Sequence, residues 1–436
     1  MQFTEGKIIS PLLKFTIPVL LALCLQSLYG AVDLFVVGQF GSAADVSAVS
    51  IGTQMMYTIT GVIANLSVGT TIMLGQAIGS GKKEDVGDIV KSSIVFFGFA
   101  AIVCMIGMFM IAKPFATLMH APIEAYEKTV GYVRICSLGM IFIVAYNVLG
   151  AIFRGLGDSK TPLIAVAIAC VVNIIGDLVF VGLFNLNTYG AALATVLAQA
   201  VSVILSSFLI KKRNLLSSLG KMKIHFITKI VKLGLPIALE GCLVNVSFLV
   251  IGSIVNSLGL IVSAGVGVAE KICAFIMLVP SAFSQALSTF VSQNMGANKP
   301  ERARKGLYYC IGLSLAVGVV MAYLSFFHGT LLGRIFATDQ DVILVGAEYL
   351  KAYAIDTIFV SIMFCYMGYM NGCEKTSFVM IQGIAGAFLV RIPISFIMSR
   401  IQPISIFGIG LATPASTFIQ IILFVGYDFY LKRKKV

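Results

Sequence analysis

Asn173 and Asp177 lie four residues apart in "NIIGD", a spacing that puts both side chains on one face of a helix. Asp33 follows "LQSLYGAV" in another apolar run, with Gln26 two helical turns before it on nearly the same face. Each of these groups sits inside a stretch long and apolar enough to be immersed in hydrocarbon, where an ionisable side chain is costly and marks a pathway, relay or binding site. Two neighbouring carboxylates in such a medium cannot both stay ionised without a cation, so Asp33 and Asp177 must share protons or hold Na⁺. The same argument singles out Glu240, Glu270 with Lys271, Asp356 and Arg391 in the second half of the chain. Of these, Glu240, Asp356 and Arg391 are candidates to face a cavity, and Glu240 could instead satisfy backbone freed by the nearby Pro236. Other chemistries have little to stand on. The three His are far apart, and the nine Cys form no CxxC pair and lie mostly in apolar runs, as small core residues do. No nucleophile and base or metal-ligand motif is paired, so the chain is read as a non-enzyme without a cofactor other than a coupling ion.

The elements that must position these groups follow from composition. Of 436 residues, 58% are hydrophobic and 11% charged. That leaves too little polar surface for a soluble chain of this size, which excludes a soluble enzyme and identifies the lipid bilayer as the solvent. The net charge of +12 comes from residues between apolar segments rather than on one face, which argues against a nucleic-acid partner. Twelve helices long enough to cross a membrane can be laid down, at about 11–38, 46–77, 88–112, 126–152, 161–183, 188–210, 226–256, 261–290, 304–327, 343–369, 377–399 and 404–431. The run that follows Lys7 and Lys14 continues past Asp33 without an Ala-x-Ala-like cleavage site, so it is read as the first spanning helix. Pro18, Pro236 and Pro280 fall inside spans and predict kinks or tilts, with Pro18 as the hinge of helix 1. Counting Lys and Arg by alternate loops gives 23 on the side of the N-terminus and 6 on the other, so both termini are expected in the cytoplasm.

The halves repeat. "LLKFTIPVLL" from Leu12 matches "IVKLGLPIAL" from Ile230, pairing Pro18 with Pro236 at a shift of 218. "IMLGQAIGSGKKEDV" from Ile72 meets "TFVSQNMGANKPERA" from Thr289, "FRGLGDSKT" meets "MNGCEKT", and "GAALAT" from Gly190 meets "GIGLAT" from Gly408. The chain is expected to form a six-helix lobe over 1–210, a basic cytoplasmic linker over 211–225 and a second six-helix lobe over 226–436. Because six is even, the repeat is parallel, about an axis along the membrane normal, with a cavity between the lobes.

Taken in order, "QSLYGAVDLFVVGQFG" from Gln26, "GQAIGSGKKEDV" from Gly75, "FRGLGDSKTP" from Phe153, "NIIGDLVF" followed by "GAALAT", and "VSQNMGANKPERA" resemble the multidrug and toxic compound extrusion (MATE) transporters over essentially the whole chain. The resemblance is strongest to the prokaryotic DinF-like branch. It implies an all-α membrane protein of twelve helices in two pseudo-symmetric six-helix lobes, exporting organic, often cationic compounds and drugs in exchange for H⁺ or Na⁺. By motif it carries the ion and proton role to Asp33, Asn173, Asp177 and Thr195, with Gln26 fitting the helix-1 pattern. A Na⁺ would then lie at Asp33, Asn173, Asp177 and Thr195. The second-lobe acids of the NorM-like branch would fall at Val244 and near Val360 or Ser361, so that role is not transferred to Glu240 or Asp356. The expected setting is the cell membrane of a prokaryote, as a multi-pass monomer. Two rival readings are a lipid-linked saccharide flippase of the same superfamily, disfavoured by the scarcity of deep basic residues, and a passive channel.

Overall fold

The computed structural model describes residues 3–212 and 220–433, and the elements among them are helical. Arg213, which belongs to the expected basic linker, and Lys434 and Lys435, which belong to the charge count, lie outside the described residues. Eleven helices are long and apolar enough to cross a membrane, and a bent pair supplies a twelfth. In chain order they are α1 (Ile9–Phe40), α2 (Ala43–Gly79), α3 (Lys83–Leu118), α4 (Ile123–Leu138 with Met140–Gly155), α5 (Lys160–Leu183) and α6 (Asn187–Lys212). The second half adds α7 (Ile224–Asn256), α8 (Leu260–Gly296), α9 (Pro300–Phe327), α10 (Gln340–Gly372), α11 (Thr376–Met398) and α12 (Ile406–Arg433).

Several boundaries have local causes. α2 begins three residues earlier than expected because Ser42 caps it: the Asp45 amide donates to the Ser42 hydroxyl, and the Ser42 amide donates back to the Asp45 carboxylate at 3.0 Å. Lys128 of α4 pairs with Asp45 at 2.8 Å, and Thr188 donates to it at 2.8 Å, so that helix start is tied to two others. The expected single span over 126–152 is bent by 54° at Gly139. A Cβ there would strike the Val196 side chain of α6, so glycine lets α6 nest into the bend. In α8 the break falls at Met277 rather than at Pro280 itself. Pro280 has no N–H for the carbonyl four residues earlier, at Ile276, and the helix gives way in that turn. Two stretches, Leu178–Leu183 at the end of α5 and Gly386–Arg391 within α11, are π-helical, which the sequence reading did not foresee.

By packing, the described chain forms two compact units. The first holds residues 17–238 and 296–298, and the second holds 3–16, 239–295 and the chain from 299 onward. The chain passes between them just before Pro18 and just after Pro236, so the first half-helix of α1 packs in the second unit and that of α7 in the first. In the first unit, α7 approaches α2 so closely that a Cβ at Gly234 would meet the Leu66 carbonyl and one at Gly69 the Ile230 carbonyl. The lead into α7 is fastened to α3: the Lys221 amide donates to the Asp88 carboxylate at 2.6 Å, Lys223 pairs with Asp88 at 2.6 Å, and the Lys223 amide donates to Ser92 at 3.0 Å. The Asp88 carboxylate holds the Lys223 ammonium above its ordinary pKa. In the second unit, the lead into α1 is fastened to α9. Phe3 is fully buried between Phe15 and Phe290, ring centroids 5.4 and 5.6 Å away. Arg302 donates to the carbonyls of Phe3 at 3.0 Å, Glu5 at 2.8 Å and Gly6 at 2.8 Å.

Candidate functional site

α1 delivers Asp33, α5 delivers Asn173 and Asp177, and α6 delivers Thr195, all within the first unit. The α1 turns that carry Gln26, Tyr29 and Asp33 are otherwise mostly apolar, and Asp33 lies on the buried side of the helix, 4% exposed. The Asn173 and Asp177 spacing keeps both on the buried face of α5, and each is fully buried. Asp177 is also the last residue before the π-helical turn, where the wider coil shifts the following side chains off α-helical register.

Thr195 donates its hydroxyl to Asp33 at 3.3 Å. Asp177 and Asn173 flank the same carboxylate. Even so, one Asp33 oxygen, both Asp177 oxygens and the Asn173 amide are buried without a well-aligned partner among the described residues. Buried polar groups are rarely left this way, and each such group calls for an ion, a proton or a water. The donor set consists of carboxylate, amide and hydroxyl oxygens, which suits a hard cation or a shared proton and not a soft metal. No group of three or more His, Cys, Asp or Glu that could hold a metal ion occurs among the described residues.

Asp33 and Thr195 open onto a cavity of about 160 Å³ that Gln26, Tyr29, Tyr132 and Gln199 also line. Asn173 and Asp177 stand behind Asp33 and do not line it. The cavity wall is cross-linked by side chains: Gln26 donates to the Tyr146 hydroxyl at 2.6 Å, Gln199 donates to the Tyr29 hydroxyl at 3.4 Å, and Thr53 and Tyr132 share a bond at 3.1 Å. The five sequence-derived site residues Gln26, Asp33, Asn173, Asp177 and Thr195 therefore fall in one neighbourhood. The tyrosines and Gln199 were missed. Two of them were within reach of spacing alone, since Tyr29 precedes Asp33 by four residues and Gln199 follows Thr195 by four.

The second-half candidates gather elsewhere, in the second unit. Arg391, 4% exposed, lies 4.5 Å over the Phe248 ring and donates to Ser247 at 3.2 Å. Asp356 and Glu240 are within electrostatic reach of it. Neither Asp356 oxygen has a well-aligned partner among the described residues, and Glu240 packs against the backbone at Gly383. A cavity of about 590 Å³ lies in the same unit, but Glu240, Asp356 and Arg391 do not line it; the acid that does is Glu270. At the repeat offset of 218, Asp33, Asn173, Asp177 and Thr195 correspond to Ile251, Arg391, Ser395 and Thr413. The second unit thus puts a permanent cation where the first has an amide, and it lacks both acids of the nest.

A family model described as MatE matches residues 18–179 and again 236–397, two copies at the same offset of 218. Among named relatives, the chain is 26% identical over 400 residues to the probable multidrug resistance protein YpnP of Bacillus subtilis, covering 91% of this chain and 90% of that protein. It is 22% identical over 408 residues to the multidrug export protein MepA of Staphylococcus aureus, covering 92% and 89%. Among solved structures, an outward-facing multidrug resistance MATE family transporter of the MOP superfamily superposes with a TM-score of 0.91 at 18% identity, over 100% of this chain and 98% of that one. With the profile matching both halves and the helical architecture shared end to end, the chain belongs to the MATE family of membrane transporters.

Proposed function

We propose that the protein is a secondary active multidrug antiporter that exports organic, cationic compounds in exchange for H⁺ or Na⁺ by alternating access. The observation that carries this reading is the nest of buried oxygens around Asp33 that lack well-aligned partners, with Asp33 and Thr195 also lining a small cavity. The nest is accessible enough to exchange an ion and dry enough to make the exchange energetically consequential. Asp33 is the exchangeable face of the site; Asp177 and Asn173 behind it, with Thr195 beside it, share the proton or coordinate the Na⁺. Loading the nest removes the repulsion between the two carboxylates and repacks α1, with Pro18 as the point about which the helix yields. Such loading shifts the balance between inward- and outward-open states only by its differential affinity for them, and a full reversal of a 1:99 balance needs a ratio of about 10⁴.

The names of the relatives support drugs as the transported class. A flippase for an anionic pyrophosphate would need basic residues on a cavity wall, and Arg391 stands behind Phe248 instead. The loop charges favour both termini on the cytoplasmic side. The experiment is efflux of a fluorescent cation from proteoliposomes under an imposed pH or Na⁺ gradient. Wild type responds to at least one of the two gradients, and folded Asp33→Asn gives only the passive leak. Gradient-driven efflux undiminished in that variant would defeat the assignment, and downhill flux indifferent to either gradient would point to a channel.

A further inference from the structure

Within the first unit, α3, α6 and the half of α4 that follows Gly139 enclose a groove of about 280 Å³. Its reachable lining is Ile94 and Gly98 of α3, Ile141 and Leu149 of α4, and Val203 and Ser207 of α6, all exposed or half-buried. From Ile141 to Leu149 it runs ~12 Å along the helix at about 1.5 Å per residue, within the ~15 Å hydrocarbon depth of one leaflet. All but Ser207 of these residues are apolar, so the groove suits a hydrocarbon chain.

Its end is marked by charge. Lys91 precedes Ile94 by three residues on α3, and Lys211 follows Ser207 by four on α6, so each wall continues one turn beyond the groove into a lysine on the same helix face. Neither lysine enters an ion pair among the described residues. α3 begins and α6 ends on this side, which the loop charges assign to the cytoplasm. Lysines there attract anionic lipid headgroups.

The internal repeat supplies a control. At the offset of 217 that holds along this part of α3, Lys91 and Gly98 correspond to Tyr308 and Leu315; at 218, Ser207 and Lys211 correspond to Val425 and Phe429. The second unit thus has aromatic rings at the two lysine positions and bulkier apolar side chains at the two small ones, so the repeated fold does not require this set. Gly98 has no packing reason either. Glycine inside a helix is destabilising relative to alanine, and a Cβ at Gly98 would meet nothing within 4 Å, so the consequence of the glycine is an open groove.

We infer that this groove binds an anionic phospholipid, with one acyl chain lying along α4 between Gly98 and Ser207 and the phosphate held by Lys91 and Lys211. The site needs only that these helices span a bilayer and is independent of the antiporter reading.

The probe is dioleoyl phosphatidylglycerol, titrated into the delipidated full chain in detergent and counted by native mass spectrometry, with phosphatidylcholine of the same chains as the comparison lipid. The wild type is expected to bind one phosphatidylglycerol in preference to phosphatidylcholine. The double variant Lys91→Gln, Lys211→Gln should weaken phosphatidylglycerol about thirtyfold, or ~2 kcal/mol, and leave phosphatidylcholine unchanged. Gly98→Leu fills the groove with the residue that the second unit carries there and should weaken both lipids. If either variant fails to fold, the other carries the test. Phosphatidylglycerol bound at wild-type affinity by either folded variant overturns the site, as does its displacement by equimolar glycerol phosphate, which would mean that the headgroup alone is held. A wild-type dimer lost in Gly98→Leu would assign the groove to a second copy of the chain and equally overturn it. In each of these cases gradient-driven efflux by the wild type would leave the antiporter reading standing.

Discussion

Thr195 and Asp33 illustrate how much a single contact in the nest should matter. Their hydrogen bond is long, at 3.3 Å, and replacing Thr195 by Ala removes one neutral donor from a buried carboxylate that keeps Asn173 and Asp177 as neighbours. The loss should be about 1 kcal/mol, so Thr195→Ala is predicted to change coupling-ion affinity by roughly fivefold without abolishing transport, weaker for Na⁺, which loses an oxygen ligand, and tighter for H⁺, because the lost donor stabilised the ionised carboxylate, measured as the ion concentration for half-maximal efflux. Asp177→Asn should be more severe, since it deletes one of the two charges whose conflict makes the site titrate, and only the leak should remain. An Asp177→Asn protein that is folded and keeps the wild-type ion dependence would show that the charge pair is not what senses the ion. Much at this scale could be read from the sequence. The Asn173 and Asp177 spacing and the position of Asp33 inside an apolar run are local properties of one helix each. The tyrosines Tyr132 and Tyr146 are different: they reach the site from α4, on either side of its bend at Gly139, and which residues of α4 meet α1 depends on tertiary packing rather than on a local pattern. For Glu270 the residue was visible as a buried-charge anomaly, but whether it faced the open cavity or its neighbours depended on the packing of α8 against α10.

At the scale of helices, Pro18 and Pro236 lie beside the points where the chain passes from one packing unit to the other, and the half-helices before them are anchored at their leads by Arg302 and by Asp88. A proline inside a helix costs about 3 kcal/mol through its missing hydrogen bond, so Pro18→Ala should leave thermal stability equal or higher while lowering the rate of efflux. A fall in both together would mean that the proline supports the fold rather than the motion. The close approach of α7 to α2 gives a complementary prediction: Gly234→Val drives a side chain into the Leu66 carbonyl and should destabilise the protein by about 1–3 kcal/mol, seen as a lower unfolding temperature in detergent. The prolines were legible as kinks because ring chemistry acts within one turn. The π-helical turns in α5 and α11 were not, because nothing in "LVFVGL" or "GAFLVR" forbids an ordinary α-helix; the wider turn must follow from tertiary packing.

Across the whole molecule, the twofold repeat was legible because four motifs kept order at a nearly constant offset, and the two matches of the family model fall at the same 218 residues. What the repeat conceals is the chemical divergence of its copies. The nest in the first unit has become Ile251, Arg391, Ser395 and Thr413 in the second, so the molecule is expected to carry one exchangeable ion site of this kind rather than two. The most direct test of that account reverses the usual experiment: an outward substrate gradient is imposed on proteoliposomes with no ion gradient, and the movement of H⁺ and Na⁺ is followed with pH- and Na⁺-sensitive dyes. The account predicts that substrate leaving one way drives one of these ions the other way in the wild type, and that folded Asp33→Asn drives neither. Substrate-driven ion movement of wild-type size in that variant would contradict it.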